Sequence, residues 1–478
     1  MVPHIRQTNV DYDHPPQQLS KDNENRRFSY GFYYLDEEAR RNLPHYQYKG
    51  CDQSLLYKYI LSPLATVCVE TFVPRTMAPN TVTLLGLAFM ICSYSIFWYY
   101  VPTLEIDPEA PPPRWIFLFH AIAMLVYQTL DNMDGKQARR TNSSSPLGLL
   151  FDHGCDAINS IFGSANWIIS MGLIPSQELG WCWTIIMGPF AMFYIATWEQ
   201  YYTGELIMPL INGPNEGLFL GAMLSLTSFV WGYEFWLGTL WWDTILECMP
   251  GLLQYLPTMA APYTPLRNCD LVLLAASFGF CQEILLKTWS VTRAYGITTL
   301  QTMVPMACLA WGYAIIGWMD PTIFLNVPRV TLNLAMILFV EMSVQMMLSH
   351  ITAKPFWPWR WQLIPLVGLT VAVYCEWFDS NHRRHHHHQH DRHHDHHRTM
   401  VTSDQYVLAY TWSMFAYLCM KIVLVINEIC TVLNIWCFDI VTPRQKRRSQ
   451  SGFLVSDNHD RIASKQQHSA MSGHSKQE

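Results

Sequence analysis

The stretch DNMDGKQARRTNSSSPLGLLFDHGCD (131–156) places four aspartates between two of the most apolar segments of the chain. WIFLFHAIAMLVYQTL (115–130) precedes it, and AINSIFGSANWIISMGLI (157–174) follows it. An aspartate at the centre of a membrane helix costs about 2.5–3.5 kcal/mol on insertion scales. Four carboxylates at this position therefore need a compensating positive charge, and the source of that charge indicates the chemistry.

The composition of the chain indicates a polytopic membrane protein. Of 478 residues, 50% are hydrophobic and 14% are charged, whereas a soluble domain carries about 25% charged residues. The 19 Trp and 24 Tyr are typical of aromatic belts at two membrane interfaces. A net charge of −6 indicates no polyanionic partner, so we expect no nucleic-acid binding. The 13 Cys show neither metal-ligand nor disulfide spacing.

Polar and apolar segments divide the chain into a polar N-terminal tail (1–45), a membrane domain (46–440) and a polar cytosolic tail (441–478). The N-terminal tail has no hydrophobic signal region, so we expect the first membrane helix to be an uncleaved anchor. Residues 54–74 are apolar but include Lys58 and Glu70, which favours an interfacial amphipathic helix over a span. Apolar runs of near-spanning length predict an all-α domain of about ten transmembrane helices, beginning near residues 81, 115, 149, 180, 216, 270, 299, 328, 361 and 406.

Basic segments orient these helices, because Lys and Arg are enriched in cytosolic loops. Four such segments fall on the side of the N-terminus: KQARR (136–140), KTWSVTR (287–293), AKPFWPWR (353–360) and PRQKRR (443–448). We therefore expect both termini and the aspartates to be cytosolic. The histidine-rich segment (381–398) is then lumenal, either as a metal- or proton-binding site or as a low-complexity insertion.

The aspartates follow the spacing D-x2-D-G-x2-A-R-x8-G-x3-D-x3-D. Asp131 and Asp134 are three residues apart at the end of one predicted helix, so they share a face. Asp152 and Asp156 are four apart at the start of the next helix and also share a face. The short turn TNSSSP (141–146) lets the two helices run antiparallel, which brings both pairs together.

Two bridging divalent cations would cancel the charge of these four carboxylates. Mg²⁺ favours such oxygen ligands, and a metal pair is a common device for displacement at phosphorus. Gly135 allows a phosphate to approach the backbone, and Arg139 supplies a planar donor for its oxygens. Ala138 and Gly148 are small and favour close helix packing. An EF-hand fits less well, because it needs Asp or Asn at every second position and a distal Glu.

This pattern resembles the signature of the CDP-alcohol phosphotransferase family at every defining position. Within that family, DGKQARRTNSSSPLG (134–148) and FDHGCD (151–156) are similar to the eukaryotic choline and ethanolamine phosphotransferases. MAPNTVTLLGL (77–87) and TWEQYYTGELIMPLINGPNEG (197–217) also resemble that subfamily. The resemblance covers roughly residues 45–440.

The resemblance implies a homodimeric enzyme of the endoplasmic reticulum or Golgi membrane. Such an enzyme transfers phosphocholine or phosphoethanolamine from the CDP-alcohol to diacylglycerol and releases CMP. Its first helices surround a metal-containing chamber, open to the cytosol and laterally to lipid. By the same resemblance, two Mg²⁺ or Mn²⁺ ions are held by Asp131, Asp134, Asp152 and Asp156. The CDP site is lined by Gly135, Ala138, Arg139 and Gly148, with Asn80 and Thr83 in support.

The sequence departs from its relatives at Leu149, where they usually read LGELFDH. A Glu there could orient the metal ligand one turn away or assist proton transfer. We expect an active enzyme because every signature residue is present, and a catalytically weakened paralogue is the alternative.

Three side chains are candidate bases for the proton of the diacylglycerol hydroxyl: Asp156, Glu199 and His153. The sequence does not choose the headgroup, which can be choline, ethanolamine or both. Three aromatic residues flank Glu199 and either hold a quaternary ammonium by cation–π contact or form an ordinary interfacial belt: Trp198, Tyr201 and Tyr202.

Two other classes of membrane protein use comparable residues. A membrane prenyltransferase also binds a diphosphate through aspartates and Mg²⁺, but it carries two separate acidic motifs, and this chain has a single cluster. A transporter would place polar groups at mid-membrane, often in two repeated halves. Glu283, Glu341 and Glu428 could serve such a role, yet the sequence shows no internal repeat.

Overall fold

The structure, a computed structural model, describes residues 33–248, 265–386 and 396–441. Side chains at 378–386 and 396–403 are not described. The histidine-rich segment therefore lies outside the described side chains, and the basic segment 443–448 lies outside the described residues.

The described chain forms fifteen α-helices and one pair of short strands. The helices before the site are α1 (Glu37–Asn42), α2 (Ser62–Phe72) and α3 (Pro79–Tyr100). Those around it are α4 (Trp115–Arg140), α5 (Pro146–Ser170), α6 (Leu179–Thr203), α7 (Leu218–Trp231), α8 (Glu234–Leu237), α9 (Leu240–Cys248) and α10 (Asn268–Tyr295). The remainder are α11 (Val304–Met319), α12 (Thr322–Asn326), α13 (Pro328–Ile351), α14 (Ile364–His386) and α15 (His396–Leu433).

The prediction of an all-α polytopic membrane protein is confirmed. Seven helical stretches among the described residues are long and apolar enough to cross a membrane: 79–100, 115–140, 179–203, 268–295, 297–319, 328–351 and 404–433. Each of the ten predicted apolar runs contains a helix. Three of these helices, α5, α7 and α14, are not among the seven candidate spans. Helix α5 has 25 residues but carries two aspartates and several other polar groups. Helix α7 has 14 residues, short of the roughly 20 that a span requires, and the later part of α14 lies outside the described side chains.

Helix α2 and the π-helical turn before it, Tyr57–Leu61, form the predicted amphipathic element. Ala65 and Val69 are buried in a small cluster with Met133 of α4. The opposite face leaves large apolar side chains exposed, among them Leu64 and Val67. An exposed apolar face on an 11-residue helix suits a position in the membrane interface.

Helix α13 lies at the centre of the bundle, and 83% of its 18-residue apolar stretch is buried. Phe339 of this helix stacks on Phe190 of α6 with ring centroids 4.0 Å apart. Its Glu341 is almost fully buried and pairs with Arg360 and with Lys421 of α15. This carboxylate is therefore neutralised within the bundle.

The residues just before α1 anchor the N-terminal part of the chain to the bundle. The backbone N–H groups of Tyr33, Tyr34 and Leu35 donate to the Glu428 carboxylate on α15. The Ala39 N–H and the Lys354 ammonium hold the pKa of the Asp36 carboxyl below its usual range. The last part of the predicted polar tail (1–45), from residue 33 on, therefore packs against the bundle.

Two short strands bring this N-terminal part to the site. Strand β1 (Gly50–Asp52) pairs in parallel with β2 (Leu206–Met208), which follows α6. Asp52 accepts a hydrogen bond from Asn215 at 2.7 Å, which ties β1 to the turn before α7.

Candidate metal and phosphate site

Helices α4 and α5 form the predicted hairpin around the aspartates. The turn between them contains Asn142 in the left-handed region, with φ of 52°. Ser145 then caps α5 by accepting a hydrogen bond from the Gly148 N–H at 3.2 Å. With Pro146 at the first helical position, this is a strong helix start. The hairpin places the ends that carry the aspartates side by side.

Three of the four predicted carboxylates form one cluster. Asp131, Asp152 and Asp156 each offer an oxygen, and these oxygens lie within 4.8 Å of one another. Asp134 lies outside this cluster but lines the same chamber, and its Oδ2 accepts a hydrogen bond from the Thr83 hydroxyl. Thr83 is buried and is not part of the chamber wall, so it supports the site by orienting Asp134.

The carboxylate cluster suits a divalent cation. Oδ1 of Asp131 and Oδ1 of Asp152 are buried without a hydrogen-bond partner. Buried unpaired carboxylate oxygens are costly, and hard cations take such oxygens as ligands. Asp156 is held differently, because the Tyr127 hydroxyl donates to its Oδ1 at 2.6 Å.

Five of the residues that the resemblance assigns to the CDP site line the chamber next to these aspartates: Asn80, Gly135, Ala138, Arg139 and Gly148. A Cβ added at Gly135 would lie 3.5 Å from the Arg139 guanidinium. A Cβ added at Gly148 would meet Asn80 Oδ1 at 3.7 Å and nothing closer. These are ordinary contacts, so helix packing does not require glycine at 148 as the sequence suggested. Gly148 instead leaves room in the chamber.

The chamber has a volume of about 2250 Å³ and two chemically different ends. Its polar end contains the four aspartates, Asn80 and Arg139. Its apolar end is lined by large hydrophobic side chains, including Trp167, Met171, Ile185, Leu224, Trp236, Leu273 and Phe280. Asp156 and Met171 are fifteen residues apart on or just past α5, which corresponds to about 22 Å at 1.5 Å per residue. The chamber can therefore hold a charged group and a long hydrocarbon chain together.

The three candidate bases all line the chamber but differ in their partners. Glu199 forms an ion pair with Lys287 of α10, and Glu283 lies 3.8 Å from the same ammonium. Asp156 belongs to the carboxylate cluster. The Nδ1 atom of His153 is buried without a hydrogen-bond partner, and its ring meets the edge of Phe193 at 5.7 Å. His153 is thus the candidate least committed to other groups.

The aromatic residues beside Glu199 point away from the chamber. The Trp198 indole N–H donates to the Thr302 hydroxyl at 2.7 Å, and the Tyr202 hydroxyl lies 3.1 Å from the same oxygen. The Tyr201 hydroxyl contacts the loop at 354–356. None of the three lines the chamber, which favours a packing role for them.

The sequence analysis missed two tyrosines beside the carboxylates, Tyr127 and Tyr48. Tyr127 lies four residues before Asp131 on the same face of α4, a spacing that could have indicated it. Tyr48 comes from the segment before β1, and no local pattern marks it. Its partial burial, with the charges of Asp152 and Asp52, raises the pKa of Tyr48 to about 12, so its phenol is neutral at physiological pH.

Comparison with known proteins identifies a consistent set of relatives. A family model described as CDP-alcohol phosphatidyltransferase matches residues 76–246. Choline/ethanolaminephosphotransferase 1 of Arabidopsis thaliana is 33% identical over 326 residues, which cover 67% of this chain and 80% of that protein. Choline/ethanolaminephosphotransferase 1 of Saccharomyces cerevisiae is 30% identical over 61% of this chain and 72% of its own length. Cholinephosphotransferase 1 of the same yeast is 33% identical over 45% of this chain and 52% of its own length.

Proposed function

The chain belongs to the CDP-alcohol phosphatidyltransferase family, and we infer that it transfers phosphocholine, phosphoethanolamine or both from the CDP-alcohol to diacylglycerol. The products are the phospholipid and CMP, so the protein is a membrane transferase of phospholipid synthesis. The observation that carries this inference is the single chamber, in which a carboxylate cluster meets an apolar end. Purified protein assayed with radiolabelled CDP-choline and CDP-ethanolamine, each with diacylglycerol, tests it. Absence of transfer with both donors would contradict it.

We propose that two Mg²⁺ or Mn²⁺ ions are held by the four aspartates. When bound, such ions neutralise the diphosphate and make CMP a better leaving group. Thr83 fixes the orientation of Asp134, and Tyr127 fixes that of Asp156. The Arg139 guanidinium, beside Gly135, can donate to phosphate oxygens.

The transfer itself is an in-line displacement at the β-phosphorus. The diacylglycerol hydroxyl oxygen forms a bond to this phosphorus, and the bond to the CMP oxygen breaks. The hydroxyl proton passes to a base of the chain, for which His153 is best placed because its Nδ1 has no other partner. The hydrocarbon chains of diacylglycerol occupy the apolar end of the chamber.

Position 149 offers a test of how far this chain has diverged from its relatives. Leu149 lines the chamber three residues before Asp152 and four before His153, on the same face of α5. A Glu there could reach the unpartnered Nδ1 of His153. We expect Leu149→Glu to raise turnover or widen headgroup use by about 10–100-fold, the usual weight of contacts that orient a metal ligand.

Leu149→Gln is the matched control, because Gln has nearly the same shape as Glu but carries no charge. Initial rates with both CDP-alcohols are the measurement. Inactive wild type beside active Leu149→Glu would identify a degenerate paralogue and remove the functional inference. A lower rate in Leu149→Glu would instead show that Leu149 belongs to a local repacking.

We also propose that the site and both termini face the cytosol in the endoplasmic reticulum or Golgi membrane, and that the protein is a homodimer. The Lys/Arg-rich segments support this orientation. An epitope at residue 390 should be protected from protease in sealed microsomes, and one after residue 450 should be digested. Digestion at 390 would show that the span count or the orientation is wrong. Mass measurement of the detergent-solubilised protein tests the dimer.

A further inference from the structure

The residues after α15 form part of the chamber wall. Helix α15 ends at Leu433, and Asn434 adopts the left-handed conformation with φ of 55°. The Ile435 N–H donates back to the Cys430 carbonyl at 3.1 Å, which closes the helix end. The following stretch, Asn434–Ile440, is called the C-terminal segment below. Six of its seven residues line the chamber: Asn434, Ile435, Trp436, Cys437, Asp439 and Ile440.

Two contacts hold the C-terminal segment against the polar end of the chamber. The Asn80 side-chain NH₂ donates to the Cys437 carbonyl at 3.0 Å and lies 3.5 Å from its sulfur. The Phe438 ring packs edge-on against Phe151, with centroids 5.5 Å apart. Phe151 immediately precedes Asp152, a member of the carboxylate cluster. The segment is thus linked to the start of α3 and to the start of α5.

The contact with Asn80 has a chemical consequence. An Asn amide has two donors and one acceptor. Because the NH₂ of Asn80 is bound to Cys437, its Oδ1 is turned toward the space in front of Gly148, 3.7 Å from where a Cβ would stand. The C-terminal segment therefore fixes which atom of Asn80 faces the chamber.

Given the proposed function, on which this step rests, the polar end suits the nucleotide better than the apolar end. The apolar end is lined by large hydrophobic side chains and takes the lipid. A cytidine diphosphate with its phosphates at the carboxylate cluster must extend along the remaining polar wall. Asn80, Gly148 and the C-terminal segment form one side of that wall, and Arg139 and the turn after α4 form another.

We propose that the C-terminal segment is one wall of the nucleotide pocket, in which it positions Asn80 and sets the affinity for the CDP-alcohol and for CMP. The segment lies outside residues 76–246, the range that matches the family model. It is a positioning element and takes no part in the transfer of the proton or the phosphoryl group.

Two chain lengths test the proposal directly. A chain ending at Val441 keeps the segment, and a chain ending at Leu433 removes it. We expect the first to match the full chain. We expect the second to show at least a tenfold higher KM for the CDP-alcohol and a tenfold higher Kd for radiolabelled CMP. The KM for diacylglycerol should stay within twofold, which a general loss of structure would not produce.

Phe438→Ala is the second variant, and it decides the question if the shorter chain does not fold. It removes the contact with Phe151, and we expect a threefold to tenfold rise in the Kd for CMP. Phe415→Ala is its matched control, because Phe415 lies on α15 at 45% exposure, close to the 50% of Phe438, and does not line the chamber. A CMP affinity within twofold of wild type in Phe438→Ala would overturn the proposal. CMP binding needs no turnover, so an inactive full chain would remove the proposed function while this measurement still tests the wall.

Discussion

Replacing Asp152 or Asp156 with Asn is expected to abolish transfer while the protein stays folded in the membrane. The two aspartates and Asp131 offer oxygens within 4.8 Å of one another, so each substitution removes a ligand from the cluster. We expect a loss of roughly 10²–10³-fold or more, as when a group that stabilises developing charge is removed. Radiolabelled transfer by purified variants, over a range of Mg²⁺ and Mn²⁺, is the measurement.

The stability of the same variants separates a chemical loss from a structural one. Asn removes one negative charge from a group of like charges, so the melting temperature without metal should not fall. Wild type should be stabilised by added Mg²⁺ or Mn²⁺, and Asp152→Asn should lose most of that effect. Asp107→Asn, in an exposed loop outside the chamber, is the control and should behave as wild type. Turnover within threefold of wild type for both Asp152→Asn and Asp156→Asn would exclude the two-metal site.

Local spacing was enough to predict the hairpin that builds the site. The i,i+3 and i,i+4 aspartates, with the short turn between them, predicted that carboxylates from α4 and α5 would meet, and Asp131, Asp152 and Asp156 do so. The apolar runs likewise predicted the positions of the long helices. Both inferences depend only on the period of an α-helix and on the apolar length needed to cross a bilayer.

Contacts between distant parts of the chain could not be predicted in this way. The pairing of Glu199 with Lys287 joins residues 88 apart, and the bond from Asn80 to Cys437 joins residues 357 apart. No spacing rule connects such positions, because helix packing alone decides which of them meet. The sequence therefore left Glu199 as a free candidate base and gave no sign of the C-terminal segment. Similarly, the hydrogen bond from Thr83 to Asp134 joins residues 51 apart.

The contrast between Glu199 and His153 leads to the second prediction. Glu199 is buried against the Lys287 ammonium, so its carboxylate is already engaged by a cation. His153 lines the chamber, and its Nδ1 has no hydrogen-bond partner among the described residues. We expect His153→Ala to lower kcat by about 10²–10⁴-fold, the usual contribution of a general base.

Two comparisons make this assignment decisive. Glu199→Gln, which keeps the size of the side chain, should lower kcat much less than His153→Ala. It should also lower the stability, because Lys287 loses its nearer carboxylate and keeps only Glu283 at 3.8 Å. Added imidazole should restore part of the activity of His153→Ala, since a small base can enter a chamber of about 2250 Å³. A larger loss of kcat in Glu199→Gln than in His153→Ala, without rescue by imidazole, would transfer the role of base to Glu199. In that case Lys287 would have to move away from the carboxylate when the CDP-alcohol binds.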